Sequence, residues 1–362
     1  MTQQLPDMQG PLCPVPLPHK DQILMGHGSG GKMSHDLIAR LFLPAFDNPS
    51  LRAGDDAGVV EIRLPGLTKS MDTWRLAIST DSHVVWPLFF PGGDIGRLSI
   101  CGTVNDVAMM GALPLYLTAG FVLEESLEMG TLERIVASMQ AAAAEAGVII
   151  VAGDTKVVQK GKADGLYINT TGVGVLPPGA QIGGAHAQPG DVVLLSGGIG
   201  EHGIAVLSAR GELGFEAEVQ SDVAPLNHLV QTMLQASQQV HVLRDPTRGG
   251  LATSLNEIAC QSRVGIIIHE NSIPVHGAVA SACEMLGFDP LYIANEGKLI
   301  AIVGKQDADE VLQVMRASRY GEAAVVIGEV QPAPEGRVLM KTSLGSTRIV
   351  DVPSGEILPR IC

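Results

Sequence analysis

Five short segments place aspartate beside a small residue or at the end of an apolar run: Gly54-Asp55-Asp56, Ser79-Thr80-Asp81, Val104-Asn105-Asp106, Ala152-Gly153-Asp154 and Leu243-Arg244-Asp245. Hard oxygen donors of this kind suit magnesium, which binds through carboxylates while bridging phosphates. Ordinary turn chemistry explains any one of these aspartates, but their recurrence favours a metal or phosphate site. Gly26-His27-Gly28-Ser29-Gly30-Gly31 has four glycines in six positions, so its backbone N–H groups can approach an anion closely. With Lys32 it reads GxxxxGK, yet Met33 stands where a P-loop requires Ser or Thr. The expectation is therefore a flexible cover for phosphates on a different fold. Asp245-Pro246-Thr247-Arg248-Gly249-Gly250 sets an acid, a base and two glycines at a helix start, where the helix dipole favours phosphate oxygens. Ser196-Gly197-Gly198-Ile199-Gly200 is a generic strand–turn–helix sequence.

Cys362 is the last residue, after Pro359-Arg360-Ile361. A thiol on a mobile tail can swing between sites as a covalent carrier, and ten extended residues reach roughly 33–36 Å. Arg360 would favour a thiolate or an anionic adduct. Composition alone leaves open an incidental terminal cysteine. Cys13, Cys101, Cys260 and Cys283 belong to no spacing that suggests a disulfide framework or a zinc knuckle, and are read as small buried or surface residues.

These groups need strands and helices to position them. Residues 22–25 are expected as a short strand before the first glycine loop, and Leu37, Ile38, Leu41 and Phe42 follow at helical spacing. A strand over 76–81 ends on Asp81. Helices are expected over 94–110 and 132–146. Residues 148–151 read as a buried strand leading to Asp154 and Lys156. Gly and Pro between Leu176 and Asp191 mark a domain boundary. Beyond it come strand 192–195, a helix over about 247–261, strand 264–269, helix 275–286, and strands over 299–303 and 325–330. The mixture predicts an α+β or α/β chain. It divides into a weakly ordered arm at 1–20, an N-terminal domain at 21–178, a C-terminal α/β domain at 179–352 and a flexible tail at 353–362.

Composition narrows the function further. The chain has 362 residues, a net charge of −14, 46% hydrophobic residues and 4% aromatics. Two cores of aliphatic residues are possible at this length. Acidity without a Lys/Arg run argues against nucleic acid, and no apolar run reaches membrane-helix length. The absence of a signal-like stretch and the cysteine pattern point to a reducing, cytoplasmic setting.

Taken together, GHGSGG, GDDAG, STDS, GTVNDVAMMGALP, AGDTKVV, NTTGVG, DPTRGGL, NEGKL and the terminal PRIC resemble the HypE family of hydrogenase maturation factors, the carbamoyl dehydratases, from about Ile23 to Cys362. Single motifs occur across the wider aminoimidazole-ribonucleotide-synthetase superfamily; the terminal PRIC is the discriminating one. The resemblance implies an N-terminal domain that forms a barrel-like homodimer interface, and a C-terminal α/β domain. It implies ATP in a groove, with Mg2+ on Asp56, Asp106 and Asp245, and with Asp55, Asp81 and Asp154 close by. Residues Gly26, His27, Gly28, Ser29, Gly30 and Gly31 would cover the phosphates, which Arg248 and Gly249 would also meet. In that family the terminal cysteine, here Cys362, receives a carbamoyl group from HypF. The resulting thiocarbamate is dehydrated to a thiocyanate, and cyanide passes to iron on HypC–HypD. Lys156 and Glu296 match positions beside the modified cysteine, and either could be the base. Two other readings stand beside this one: a sister enzyme phosphorylating a free small molecule, with Cys362 incidental, and a non-catalytic scaffold that docks a partner through its tail.

Overall fold

The computed structural model describes residues 22–62, 74–211, 218–353 and 361–362; the arm expected at 1–20 lies outside them. Three short helices open the chain, α1 (Lys32–Leu37), α2 (Leu43–Phe46) and α3 (Pro49–Ala53), with a π-helical turn over Ile38–Phe42. The turn precedes Pro44, which has no N–H for the regular ladder. Ile23 and Leu24 form no strand. Met25–Gly28 is instead a 3-10 turn closed by the Leu24 N–H on His27 Nδ1 at 2.9 Å. A short segment with a local acceptor and no neighbouring strand does not extend.

The N-terminal sheet has strands β1 (Gly58–Ile62), β2 (Trp74–His83), β5 (Leu113–Glu124), β6 (Ile149–Val158) and β7 (Leu166–Val175), in the order β1-β2-β7-β5-β6. A ribbon of β3 (Phe89–Phe90) and β4 (Gly93–Asp94) lies apart from it. Helices α4 (Ile95–Met109) and α5 (Met129–Ala146) complete the layer. Asp94 caps α4 by accepting from Gly96 N–H at 2.7 Å and Arg97 N–H at 3.1 Å. Thirteen of the fifteen residues of α4 are buried, as expected for a helix enclosed on all sides. Side chains of β7 alternate between buried and partly exposed, the period of two of a sheet covered on one face.

The strand expected to be buried over 148–151 begins at Ile149 instead, runs on to Val158 and is exposed along nearly its whole length. β6 pairs only with β5, in parallel, and is therefore an edge. Its apolar sequence reads as burial, but within one chain nothing among the described residues covers its outer side. Ile149, Val151 and Val157 are each more than half exposed. The sheet is open in the single chain.

The C-terminal sheet joins β8 (Val192–Leu195), β9 (Val240–Arg244), β10 (Gly265–His269), β11 (Ile300–Val303), β12 (Val325–Gln331), β13 (Arg337–Lys341) and β14 (Thr347–Val350), in the order β14-β13-β10-β12-β8-β11-β9. Its helices are α6 (Glu201–Ala209), α7 (Asn227–Ala236), α8 (Gly250–Ser262), α9 (Gly277–Leu286) and α10 (Ala308–Arg316). At β8 and β11 both faces are buried, which explains the unbroken apolar runs VVLL and IAIV, whereas β13 and β14 expose alternate residues. Val193, Leu195, Ile300 and Ile302 pack in one core with Leu251, Leu255 and Ile258 of α8. Leu194, Ala301 and Val303 face the other way, toward Leu229 and Met233 of α7 and Val311 and Met315 of α10.

Candidate active site

The buried acids meet where α4 of the first domain faces the end of β9 in the second. Asp106 accepts a hydrogen bond from Ser79 Oγ at 2.6 Å. Asp56 pairs with Arg244 Nη1 at 2.6 Å, and Arg244 also donates to Gln261 Oε1 at 3.1 Å. Asp55 accepts from the Gly184 N–H at 2.8 Å. Asp245 is buried, and its Oδ2 has no partner among the described residues. Beside Asp106, Asn105 ties the two domains together, accepting from Leu226 N–H at 2.8 Å and donating to the Ala224 carbonyl at 3.0 Å.

Electrostatics shows how closely these carboxylates crowd. Burial, then repulsion from Asp245, Asp81 and Asp56, pushes Asp106 well above the usual carboxylate range. Burial, then Asp56, does the same to Asp245. Asp56 is pushed up to about 6 by burial, against the pull of Arg244. Asp81 feels burial upward, but His83, Arg248 and the Ser82 N–H bring it below its ordinary value. Four mutually repelling acids with an orphaned oxygen form a donor set that a divalent cation would satisfy. Among the described residues no three acid, His or Cys side chains close on one point; Asp56, Asp55 and Asp106 are engaged singly by Arg244, Gly184 and Ser79.

The glycine loop lies over the same region. Gly30 has φ +76°, and a Cβ there would stand 2.7 Å from Cβ of Arg248, so only glycine lets the loop close on that residue. Ser34 Oγ accepts the Gly30 N–H at 2.9 Å and holds the loop in shape. Gly250, at φ +61°, would drive a Cβ to 2.6 Å from the carbonyls of Leu291 and Ile293. That contact brings the turn over 245–249 against the Asn295-Glu296 loop. Asn295 fastens the junction, donating to the Pro246 carbonyl at 3.0 Å and accepting from Gly200 N–H at 2.7 Å.

Ile361 and Cys362 dock into this junction. Val84 N–H donates to the Cys362 carbonyl at 2.9 Å, and Ile361 is buried in the first domain's core cluster. Burial pushes the Cys362 thiol up to about 12; the nearby Arg248 charge lowers it, while Glu296 and Asp81 raise it further. Arg248 in turn is raised above the ordinary guanidinium range, most by Cys362 once it ionises, and, against burial, by Asp81, Asp106 and Glu296. Glu296 is buried with Oε1 unpartnered among the described residues, and burial followed by repulsion from Asp245, Asp81 and Asp222 raises it well above the carboxylate range. Cys362, Arg248, Glu296 and Asp81 thus form one electrostatic unit.

Lys156 and Asp154 do not join it. Lys156 Nζ donates to Asp154 Oδ1 at 2.7 Å, and both side chains are 67% exposed on edge strand β6. Arg244, His83 and His202 are site neighbours that the motifs do not single out. Arg244 precedes Asp245 and His83 follows the STDS motif, so adjacency to those motifs is the signal that could find them. His83 is buried with Nδ1 unpartnered among the described residues, and burial lowers its pKa against the pull of Asp81. His202 carries no sequence signal, since its partners come from distant segments. Cys101 and Cys283 are buried, Cys260 is exposed, and all are free thiols.

Residues 54–176 match the N-terminal domain and residues 188–341 the C-terminal domain of AIR synthase related proteins. The carbamoyl dehydratase HypE of Cupriavidus necator is 55% identical over 341 residues, covering 94% of this chain and 95% of that protein. A crystal structure of a HypE–HypF complex superposes with TM-score 0.80 at 50% identity, covering 88% of this chain and 99% of that one. A HypE crystal structure in complex with ATP gives TM-score 0.77 at 50% identity, over 94% of this chain and 100% of the other. With both domains matched, and more than nine-tenths of its length aligned at this identity, the chain belongs to the HypE carbamoyl dehydratase family of AIR synthase related proteins.

Proposed function

We propose that this chain dehydrates a carboxamide carried on its own Cys362 to a thiocyanate, using ATP, and so supplies cyanide for the iron of a [NiFe]-hydrogenase. The observation that carries this reading is the docking of Cys362 in the buried junction, where Val84 N–H holds its carbonyl and Arg248 and Glu296 bear on its thiol electrostatically. Hydroxide is a very poor leaving group from an amide carbon. The carboxamide oxygen therefore takes the γ-phosphoryl group, ADP departs, and phosphate becomes the leaving group. As the C–O bond breaks, the nitrogen gives up its protons and the C≡N bond of Cys362–S–C≡N is completed. Arg248 stabilises charge on the transferred group and on the amide oxygen. Glu296, whose carboxyl burial makes basic, accepts a proton from nitrogen. Asp56, Asp106, Asp245 and Asp55 fit Mg2+, which would neutralise charge on the nucleotide phosphates. Gly26 to Gly31, with Asp81 and Gly249, enclose those phosphates and exclude water.

A second copy completes the site in this reading. The exposed apolar strand β6 is the surface for a homodimer, and Lys156 and Asp154 act across that interface rather than within their own chain. A HypF-like carbamoyltransferase loads Cys362, as the solved complex of a relative suggests, and a HypC–HypD-like iron scaffold receives the product, in the cytoplasm. Among the described residues no helix is long and apolar enough to cross a membrane. Mass analysis of the peptide ending in Cys362 tests the reading. Carbamoylated protein given Mg-ATP should lose the mass of one water, and Cys362→Ala should still bind ATP but carry no adduct. A phosphate that persists on the peptide would refute the elimination step. Unchanged ATP turnover on a soluble substrate in the Cys362→Ala variant would favour the small-molecule kinase instead.

A further inference from the structure

The tail is held by more than the cleft around its sulfur. Ile361 packs in the cluster containing Phe90, Val206, Val223 and Ala294. Its carbonyl lies 2.5 Å from Nε2 of His202, on α6. A carbonyl only accepts, so Nε2 must carry the proton. The other ring nitrogen, Nδ1, is 2.8 Å from Ser221 Oγ, and that oxygen already accepts the Val223 N–H at 3.2 Å. With the neutral ring's one proton on Nε2, Nδ1 can only accept, so Ser221 O–H donates to it and favours the tautomer that offers Nε2–H to the tail. The edge of Phe90 meets the ring at 5.4 Å and 89°, fixing its plane. His202 is fully buried, and burial lowers its pKa, consistent with a neutral ring.

This chain of donors has no place in the dehydration chemistry, and its outlet is the peptide next to Cys362. We propose that His202 is a positioning residue for the reaction: its Nε2–H latches the Ile361 carbonyl and thereby keeps Cys362 docked in the junction, within the electrostatic reach of Arg248 and Glu296, while Ser221 holds the imidazole in the tautomer the latch requires. The inference rests on Cys362 being the carrier. A single net hydrogen bond makes such a latch reversible, as a tail that must leave to be loaded demands. Its loss should shift the docked-to-free ratio by about three- to tenfold.

The full-length protein in Mg-ATP supplies the test. Alkylation of Cys362 is followed by peptide mass spectrometry, with the exposed Cys260 as internal standard. In His202→Leu, Cys362 should react faster relative to Cys260 and kcat for dehydration of the preloaded protein should fall, the two fold-changes multiplying to about three- to tenfold, with KM for ATP unchanged. His202→Gln, which keeps an N–H near the Nε2 position, should restore both. Ser221→Ala should slow dehydration in the wild-type background but not in His202→Gln, which has no tautomer to fix. Wild-type alkylation and kcat in His202→Leu would overturn the latch, as would His202→Gln behaving like His202→Leu at an unchanged melting temperature. If Cys362 never accepts a carboxamide, the functional reading fails, yet the alkylation ratios still decide the latch. If His202→Leu does not fold, the His202→Gln and Ser221→Ala pair decides it through the same two readouts.

Discussion

Glu296→Gln is the sharpest probe of the site, because the substitution keeps shape and removes only the ability to hold a charge. Glu296 is 4% exposed, Oε1 has no partner among the described residues, and Asp245, Asp81 and Asp222 all repel its ionised form, with Arg248 the compensating charge. A positioned base contributes roughly 10²–10⁴-fold, or about 3–5.5 kcal/mol of barrier. Single-turnover loss of water from carbamoylated protein should slow by that factor in the variant, with ATP affinity preserved. In the wild type the rate should climb as pH rises toward the elevated pKa of Glu296; in the variant that limb should vanish. Stability moves in the opposite sense. A carboxyl whose folded pKa lies above its unfolded value of about 4.3 stabilises the fold while protonated in both states. It loses that contribution as pH rises through the folded pKa, at about 1.4 kcal/mol for every tenfold difference in proton affinity between the folded and unfolded chain. Denaturant melts of wild type against Glu296→Gln should therefore diverge with rising pH, the variant becoming relatively more stable. A variant that dehydrates at the wild-type rate, or a stability gap that ignores pH, would refute the assignment of Glu296 as the buried base.

Three further outcomes follow from the same geometry. Asp106→Asn keeps an oxygen for Ser79 but removes one of four crowded charges; Mg-ATP turnover should fall by about 10²-fold or more without loss of melting temperature in EDTA, and wild-type turnover would remove Asp106 from the metal set. Lys156→Met and Cys362→Ala should each be inactive alone, while mixed dimers regain activity, because one intact tail then meets the other chain's intact lysine; inactive mixed dimers would place Lys156 in its own chain's site. Gly250→Ala combines a left-handed φ of +61° with a Cβ 2.6 Å from two carbonyls, so it should destabilise the protein by about 2 kcal/mol or more in chemical denaturation.

What the sequence settled by itself was chemical and local. The two-faced apolar runs of the second domain, the α4 and α8 helices, and the aspartate and glycine motifs were all legible, since each depends on residue type, period or turn chemistry within a short window. The HypE signature, ending in Cys362, was legible in the same way. Tertiary structure decided what depends on neighbours far along the chain. The apolar residues of β6 suggest burial, yet the strand is an edge, since burial is a property of what lies opposite. Lys156 and Glu296 match motifs equally well, but only Glu296 folds beside Cys362, because one rides an outer strand and the other a loop clamped by Asn295 and Gly250. His202 reaches the tail across 159 residues of sequence, a separation over which no local pattern carries information.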